Sequence, residues 1–158
     1  MRLGEILVNV TSWDEVEVLR GTGAELEGTL RKFVHAKSTT EISSLWDELE
    51  GVAFAQNTLY GASVPVVDVM LAVLADHSTP WHQMWAAEVL RFILMADSAT
   101  NPSLRETCVN RVQAGKWLLA SLACHAESVD TQEALIEVLD TVDPTLAQIT
   151  ATASRPRL

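Results

Sequence analysis

At 158 residues the chain is long enough to form one domain with a buried core. Hydrophobic residues make up 48% of the chain and charged residues 20%, a balance typical of a globular protein that excludes a disordered or low-complexity one. The formal net charge of −10 argues against binding to nucleic acid or to an anionic membrane surface, because both require a basic protein surface.

The beginning of the chain carries weak helix signals. Residues 1–11 contain a short apolar run without a clear period, so we expect an irregular N-terminal arm. Ser12-Trp-Asp-Glu15 has the capping-box pattern, which predicts a short helix as far as Arg20. Gly21-Thr-Gly-Ala24 lacks the preceding strand and the following Lys of a phosphate-binding loop, so we interpret it as helix punctuation. A second helix is predicted over 24–37.

Two helices are predicted around the middle of the chain. Ser38-Thr-Thr-Glu41 is another capping box, and the helix that follows has an apolar stripe that includes Trp46. After the interruption at 56–63, Ser63 can cap a helix that is apolar almost all round and includes Leu71. We expect Trp46 and Leu71 to face one shared core. Two such helices cannot close a core alone, so further pairs should stack against them.

The second half has stronger helix starts, each with a cap residue followed by proline, which is tolerated at the first helical position. Asp130-Thr-Gln-Glu133 resembles a further capping box with Asp130 as the cap. Gly115 either kinks the segment 102–127 or divides it into two helices, and the sequence leaves both possibilities open. The cap–proline pairs are Thr79-Pro80, Asn101-Pro102 and Asp143-Pro144.

No segment alternates with a period of two over a convincing length, so the sequence predicts an all-α fold. Helix starts recur about every twenty residues, which fits paired helices at the HEAT period of about forty residues. We therefore predict a compact, right-handed HEAT/armadillo-like α-solenoid of paired antiparallel helices. It should form a single domain over 1–158, with a frayed tail at 153–158.

The first half of the chain contains the motifs Trp13-Asp14, Gly21-Thr-Gly-Ala24, Leu45-Trp46, Gln56-Asn-Thr-Leu-Tyr-Gly-Ala-Ser63 and Val64-Pro65. Together they resemble a bacterial family of HEAT-repeat-like proteins. Its members are small α-solenoids that are often encoded beside toxins and proposed as immunity proteins. The resemblance implies a helical-repeat protein that occludes a cognate toxin. The family's His-Gln-Gly reads Ala55-Gln56-Asn57 here, so a role of that His or Gly does not carry over.

Catalytic motifs are absent from the sequence, and we expect neither catalysis nor a cofactor. His77 and His82, with Asp76 nearby, flank a helix start and are expected to be solvated loop histidines rather than metal ligands. Cys124 and His125 are neighbours on a helix and point in different directions, so we interpret Cys124 as a small buried residue.

The segment between Lys116 and Arg155 contains no Lys or Arg. Four acidic residues within it are spaced by three, four and three, and therefore form one ridge on a helix, opposite an apolar face. Such an unpaired ridge suits Lys or Arg side chains of a partner, although a merely solvated face explains it about equally well. The ridge consists of Asp130, Glu133, Glu137 and Asp140.

Aromatic residues offer a second candidate surface. The five tryptophans mostly fall on apolar stripes, including Trp117, and are expected to be buried. Trp81, at a helix start, should be the most exposed of them. Trp81 forms a candidate partner-binding surface together with Gln56 and Tyr60, which lie in the interruption at 56–63.

These patterns favour a non-catalytic protein-binding domain whose partner is basic, such as the cognate toxin implied by the resemblance. The alternatives are a HEAT-like enzyme or ligand carrier, similar to DNA glycosylases or bilin lyases, and a scaffold subunit of a larger assembly. A glycosylase needs a basic groove, which the net charge disfavours. With two cysteines, no membrane-length apolar run and no apolar leader, we expect a cytoplasmic protein. The oligomeric state stays open.

Overall fold

The computed structural model describes residues 1–55, 58–76, 79–96 and 101–154. Within these ranges the regular secondary structure is helical apart from one small hairpin, which confirms the all-α prediction. The helices are α1 (Leu3–Val10), α2 (Gly23–His35), α3 (Thr39–Ser43), α4 (Trp46–Glu50), α5 (Ser63–Ala75), α6 (Pro80–Leu94), α7 (Pro102–Ala114), α8 (Lys116–Cys124), α9 (Val129–Val142) and α10 (Pro144–Ala153).

The hairpin joins β1 (Phe54–Ala55) to β2 (Thr58–Leu59), with Phe54 opposite Leu59 in an antiparallel register. It carries no period-two sequence signal because each strand is only two residues long. None of the helices in the described part of the chain combines the length and apolar character that crossing a membrane requires.

Helix α5 is the centre of the core, as its apolar circumference predicts. It contacts α1, α6, α7 and α8, so neighbouring helices cover it on several sides. Helix α6 contacts α3, α5, α7 and α9, while α9 also packs against α8 and α10. Each helix from α6 to α9 therefore meets both its sequence neighbours and at least one more distant helix.

The N-terminal arm predicted over 1–11 is wrong, because Leu3–Val10 forms the helix α1. Its first backbone N–H groups, from Leu3 and Gly4, donate to the carboxylate of Asp76 at 2.7 and 2.9 Å. Val8 is buried, and its carbonyl oxygen accepts a hydrogen bond from the indole of Trp13 at 2.8 Å. A helix whose capping carboxylate lies more than seventy residues away has no local sequence signature.

The helix predicted to end at Arg20 is also wrong: only Trp13–Glu15 forms a turn of 3₁₀-helix, and Ser12 makes no side-chain cap. The segment after this turn is not helical. It lies against residues from the middle of the sequence, and the N–H of Leu19 donates to Val52 O at 2.8 Å. The start of α2 then returns to the 3₁₀ turn so closely that only glycine fits: a Cβ on Gly23 would collide with the carbonyl oxygen of Trp13.

Helix α2 begins with the capping box of Thr22 and Glu25, so the interpretation of the Gly-rich motif as helix punctuation is confirmed. Ser38 caps α3 as predicted, by accepting from Glu41 N at 3.2 Å. The predicted cap at Ser63 is wrong, because Ser63 lies inside α5 and its hydroxyl donates to the carbonyl of Ala53 at 2.7 Å.

Each cap–proline start of the second half is confirmed: Thr79, Asn101 and Asp143 accept backbone N–H groups in the first turns of α6, α7 and α10. The capping box predicted at Asp130 is wrong, since Ser128 caps α9 and Asp130 lies in the first turn. Gly115 ends α7 and begins α8, so the segment contains two helices. Helix α10 ends at Ala153, and 155–158 lie outside the described residues.

One prediction about burial is confirmed and one is wrong. Trp46 and Leu71 both pack against the same hydrophobic core: the ring of Trp46 contacts Trp85 and Phe92, whereas Leu71 lies beside Gly115. The stripe predicts a buried Trp117, but this residue is 69% exposed. The error arises because α7 and α8 are separate helices, so the apolar stripe of α7 does not continue across Gly115.

Candidate functional site

One face of α6 is formed by aromatic residues that are only half-buried. Trp81, Trp85 and Phe92 are spaced by four and seven residues and therefore lie on one face of the helix. The opposite face is fully buried and includes Leu90 and Ile93. Helix α6 is thus held to the core by its aliphatic side, while its aromatic side faces α3, α4 and α9; this strip of α6 and the residues that border it are here called the α6 groove.

The first wall of the α6 groove comes from α3, α4 and the hairpin. The indole ring of Trp46 lies 5.7 Å from that of Trp85 and 4.9 Å from the ring of Phe92, measured between centroids. The indole N–H of Trp46 donates to the carboxylate of Glu50 at 3.0 Å. Phe54 of β1 completes this cluster, at 6.1 Å from Trp46. The aromatic rings thereby connect the first and second halves of the chain.

The second wall is α9, which runs parallel to α6 along the α6 groove. Its residue Asp130 lies beside Trp81 and Trp85 near the start of α6, while Glu137 lies beside Arg91 near the end. The carboxylates of this wall therefore border the aromatic floor at both ends.

An arginine of the protein itself occupies the far end of the α6 groove. The guanidinium of Arg91 lies 5.3 Å from the ring centroid of Phe92. It donates to both carboxylate oxygens of Glu88, at 2.8 and 3.2 Å, and its Nε lies 3.4 Å from Glu137. The hydrogen bonds to Glu88 raise the pKa of Arg91 above its ordinary value, and Glu137 adds to the effect. Arg91 is therefore a permanently charged cation held between two carboxylates.

The near end of the α6 groove is an open pocket of about 230 Å³. Trp81 forms part of its lining, and the indole Nε1 of this residue is buried without a hydrogen-bond partner among the described residues. A buried donor without an acceptor is unfavourable, and native proteins have few of them. The lining residues are Thr39, Pro80, Trp81, Met84, Trp85, Ser128, Asp130 and Thr131.

The predicted acidic ridge lies on the exposed side of α9, and the helix face opposite it is buried against the core. Two of its residues, Asp130 and Glu137, are about 20° apart around the helix, whereas Glu133 and Asp140 lie roughly 60–80° further from the α6 groove. The expectation that the ridge is unpaired is wrong for Glu137, which contacts Arg91. Among the described residues, Asp130 has no ion-pair partner.

The second predicted surface is not brought together as expected. Gln56 lies outside the described residues. Tyr60 is half-buried in the turn before α5, where its backbone N–H donates to Ser63 Oγ, whereas Trp81 lies in the first turn of α6. The structure instead unites Trp81 with Asp130, one residue from each predicted surface.

Sequence reasoning missed the residues that connect these two. Half-buried aromatic residues such as Trp46, Trp85 and Phe92 have the same helical periodicity as fully buried ones, so spacing alone does not distinguish them. One sequence signal does indicate that this face of α6 is not fully buried. Glu88 and Arg91 form a charged pair three residues apart inside its aromatic stripe.

The expectation of a solvated loop histidine at position 82 is wrong, because His82 is 1% exposed. Its Nε2 donates to the carbonyl of Phe33 at 3.0 Å, so in the neutral ring Nδ1 accepts from the Thr79 hydroxyl at 2.8 Å. Burial lowers the pKa of His82, and the bond to Phe33 opposes this only in part. Asp76 caps α1, and His77 lies outside the described residues.

The two cysteines have different surroundings. Cys108 is buried, and burial raises the pKa of its thiol to about 11, which makes it a poor nucleophile. Cys124 was expected to be buried but is exposed at the end of α8. His125 does not face it, because the Nδ1 of His125 lies 2.8 Å from the Ser121 carbonyl. The arrangement therefore offers no activated thiol.

A second depression, of about 580 Å³, lies between α2 and α4. Its lining includes charged residues of both signs, among them Arg20, Lys32 and Glu48. Glu48 accepts a hydrogen bond from Thr29 at 2.7 Å, so part of this polar lining is satisfied within the protein.

Comparison of the chain with protein-family models, with curated proteins and with solved structures found no match.

Proposed function

We propose that this protein is a non-catalytic, protein-binding α-solenoid that holds a basic partner in the α6 groove. The observation that carries the proposal is the row of half-buried aromatic side chains on α6 between two walls that contain carboxylates. Aromatic residues dominate the energetic centres of protein interfaces, and acidic residues around them favour a partner of opposite charge.

The helix contacts support an arrangement of HEAT-like pairs. Helix α5 contacts α1 on one side and α7 on the other, while α6 contacts α3 and α9. The pairs α5–α6 and α8–α9 also contact each other directly. Two rows of helices joined by antiparallel pairs are the pattern of a solenoid, in which each repeat packs against its neighbours.

An immunity-like role follows if the partner is a toxin, as the resemblance of the first half implies. In this role the domain blocks the partner's active site by steric occlusion, and the acidic surface accelerates association with a basic partner. The site would need no catalytic group, metal or cofactor, and the protein would act in the cytoplasm.

The test begins with the reading frames beside the gene. We expect one of them to encode a basic protein that forms a complex with this chain and whose toxicity in a growth assay is neutralised by co-expression. Trp85→Ser combined with Asp130→Lys should abolish the complex and the protection, because it changes the floor and a wall of the α6 groove together. Glu106→Lys, an exposed change on α7, is the matched control and should leave both intact.

The ridge is tested separately with Glu133→Lys and Asp140→Lys, which spare the ion pair of Glu137 with Arg91. Association with the partner should slow and lose much of its salt dependence, because charges at the edge of an interface act mainly on the on-rate. An unchanged on-rate and salt slope would reduce these two residues to a role in solubility. Complex formation that survives the changes in the α6 groove would refute the proposed site.

The ligand-carrier alternative is favoured by one observation, the polar depression between α2 and α4. A carrier should bind a small charged molecule there and become more stable on binding. A thermal-shift screen of charged metabolites, with Arg20→Ala as the control, tests this function. A ligand that stabilises the wild-type protein but not the variant would favour the carrier over the protein-binding domain.

A further inference from the structure

The two ends of the α6 groove contain the same pattern, displaced by seven residues. Met84 precedes Arg91 by seven residues, Trp85 precedes Phe92 by seven, and on α9 Asp130 precedes Glu137 by seven. Seven residues are about two helical turns, or about 10 Å, so equivalent side chains point the same way. Because α6 and α9 run parallel, both helices shift together and the relation between their side chains is preserved.

At the far end this pattern holds a cation. Arg91 extends over the ring of Phe92 and lies between a carboxylate of its own helix and Glu137 of α9. At the near end the aromatic ring is Trp85 and the carboxylate of α9 is Asp130, but the position equivalent to Arg91 is the uncharged Met84. The near end therefore has the ring and the α9 carboxylate, has Trp81 at the position equivalent to Glu88, and lacks the cation.

The space that the missing cation would fill is open. The pocket between Trp81, Trp85 and Asp130 has a volume of about 230 Å³, enough for the side chain of one basic residue rather than for a larger ligand. Asp130 has no ion-pair partner among the described residues. Aromatic faces attract guanidinium and ammonium groups, and a carboxylate beside them adds charge-assisted hydrogen bonds.

We propose that the pocket formed by Trp81, Met84, Trp85 and Asp130 receives an arginine side chain of the protein partner. Arginine fits better than lysine, because its planar guanidinium stacks on an indole and can donate two hydrogen bonds to one carboxylate. The net charge of −10 favours a basic partner. This inference rests on the proposed function and names the residue of the partner that the α6 groove recognises.

The indole N–H of Trp81, which has no hydrogen-bond partner in the described part of the chain, favours a peptide as the ligand. Nε1 is covered in the free protein, so it reaches an acceptor only if the ring turns toward the pocket. The carbonyl oxygen of the peptide bond next to the inserted arginine supplies such an acceptor. Because binding gives this buried donor an acceptor, the hydrogen bond favours the bound state.

The test uses the tripeptide acetyl-Gly-Arg-Gly-amide and its citrulline analogue, which has nearly the same shape and no charge. The signals of the tryptophan indole N–H groups are followed by NMR in the 15N-labelled full chain. We expect saturable shifts for Trp81 and Trp85 with half-saturation in the low-millimolar range, about 1–10 mM, for a single side chain in one pocket. The signals of buried Trp13 and exposed Trp117 should stay in place.

Two variants separate the pocket from non-specific stacking. Asp130→Asn should weaken the arginine peptide by about three- to tenfold, whereas the matched charge change Glu106→Gln on α7 should have no effect. Met84→Arg should place a guanidinium in the pocket from within, as Arg91 does at the far end, and should abolish peptide binding. Met84→Leu, which adds no charge, should retain peptide binding. Circular dichroism verifies that each variant retains its helical content.

Equal shifts with the citrulline peptide, equal shifts of Trp117, or unchanged binding by Asp130→Asn would each overturn the arginine pocket. If the arginine peptide does not bind, but complex formation with the partner still depends on the α6 groove, the arginine pocket is refuted and the proposed function stands. If the arginine peptide binds but complex formation with the partner is indifferent to Asp130→Asn and Met84→Arg, the assignment of the pocket to the partner's arginine is overturned.

Discussion

The part of the chain before α5 and the part from α5 onward satisfy their helix ends in different ways. From α5 onward, four helices begin with a side chain that accepts an N–H three residues later. Before α5, only α2 and α3 have such a local cap, and α1 depends on Asp76 in the other region. Helix starts in the first region therefore depend in part on contacts between distant segments, whereas most of those in the second follow rules that operate within one turn, α5 and α8 being the exceptions. The four local caps are Thr79, Asn101, Ser128 and Asp143.

The largest effect should come from Gly23→Ala, which tests the tightest of these distant contacts. A Cβ on Gly23 collides with the backbone carbonyl of Trp13, and backbone cannot move aside as a flexible side chain can. We expect the free energy of unfolding to fall by about 3 kcal/mol, measured by equilibrium urea denaturation. Gly28→Ala is the control in the same helix: its Cβ meets no atom within 4 Å, so it should stabilise by about 0.5–1 kcal/mol.

The next effect concerns the link that connects the two regions through α1. Asp76→Ala removes the carboxylate that accepts the N–H groups of Leu3 and Gly4. Because hydrogen bonds to charged groups are strong, we expect a loss of about 2 kcal/mol. Amide hydrogen exchange should accelerate in Leu3–Val10 by more than the loss of global stability explains. In α6 it should change only by the amount that this loss explains. Asp14→Ala, an exposed acidic residue of the 3₁₀ turn, should change neither quantity, and equal exchange in both variants would refute the cap.

A smaller, pH-dependent effect belongs to His82, where α2 meets α6. Because its pKa is lowered in the folded state from the ordinary value of 6.5, the unfolded chain binds the proton more readily. The stability is therefore complete above about pH 6.5 and falls below it, by at most about 1.4 kcal/mol per pH unit. Urea denaturation between pH 7 and pH 5 measures the slope, and His82→Gln should flatten it. A slope that persists in His82→Gln would assign the effect to other titratable groups, such as His35 beside Glu5.

The smallest effect should come from a local cap of the second region. Asn101→Ala removes the acceptor for the N–H of Leu104 and should cost about 1 kcal/mol. Faster hydrogen exchange should be confined to the first turn of α7. Asn110→Ala, an exposed change within the same helix, should stay within about 0.5 kcal/mol of wild type. If Asn101→Ala destabilised α1 or α2 as much as α7, the contrast between the two regions would fail.

This contrast explains what could be predicted of the fold. The starts of α6, α7 and α10 followed from a cap residue and a proline, because both act on the nearest backbone. Helix α1 and the extended segment after Trp13 could not be predicted, since Asp76 and Val52 hold them from elsewhere in the chain. Gly115 could be recognised as an interruption, but whether it divides the helix depends on the packing of α7 and α8 against α5.

The candidate site was predicted only in pieces. The acidic ridge and Trp81 were each visible in the sequence, because charge and helical spacing are local properties. Their meeting at one pocket depends on the parallel course of α6 and α9, which no spacing within a single helix encodes. The pairing of Glu137 with Arg91 was hidden for the same reason: the two residues are 46 positions apart in the chain.

The carboxylate of Asp76 also affects the order in which the molecule can be assembled. During synthesis Leu3–Val10 is made before α5, yet its first two N–H groups lack their capping carboxylate until a residue 73 positions after Leu3 has been added. Eight residues are too few to remain helical alone in water, so this segment stays unfolded until α5 is complete. Closing so long a loop is entropically costly and slow. Helix α1 is thus translated before α5 but takes its place only after it, and it covers one side of the most apolar helix.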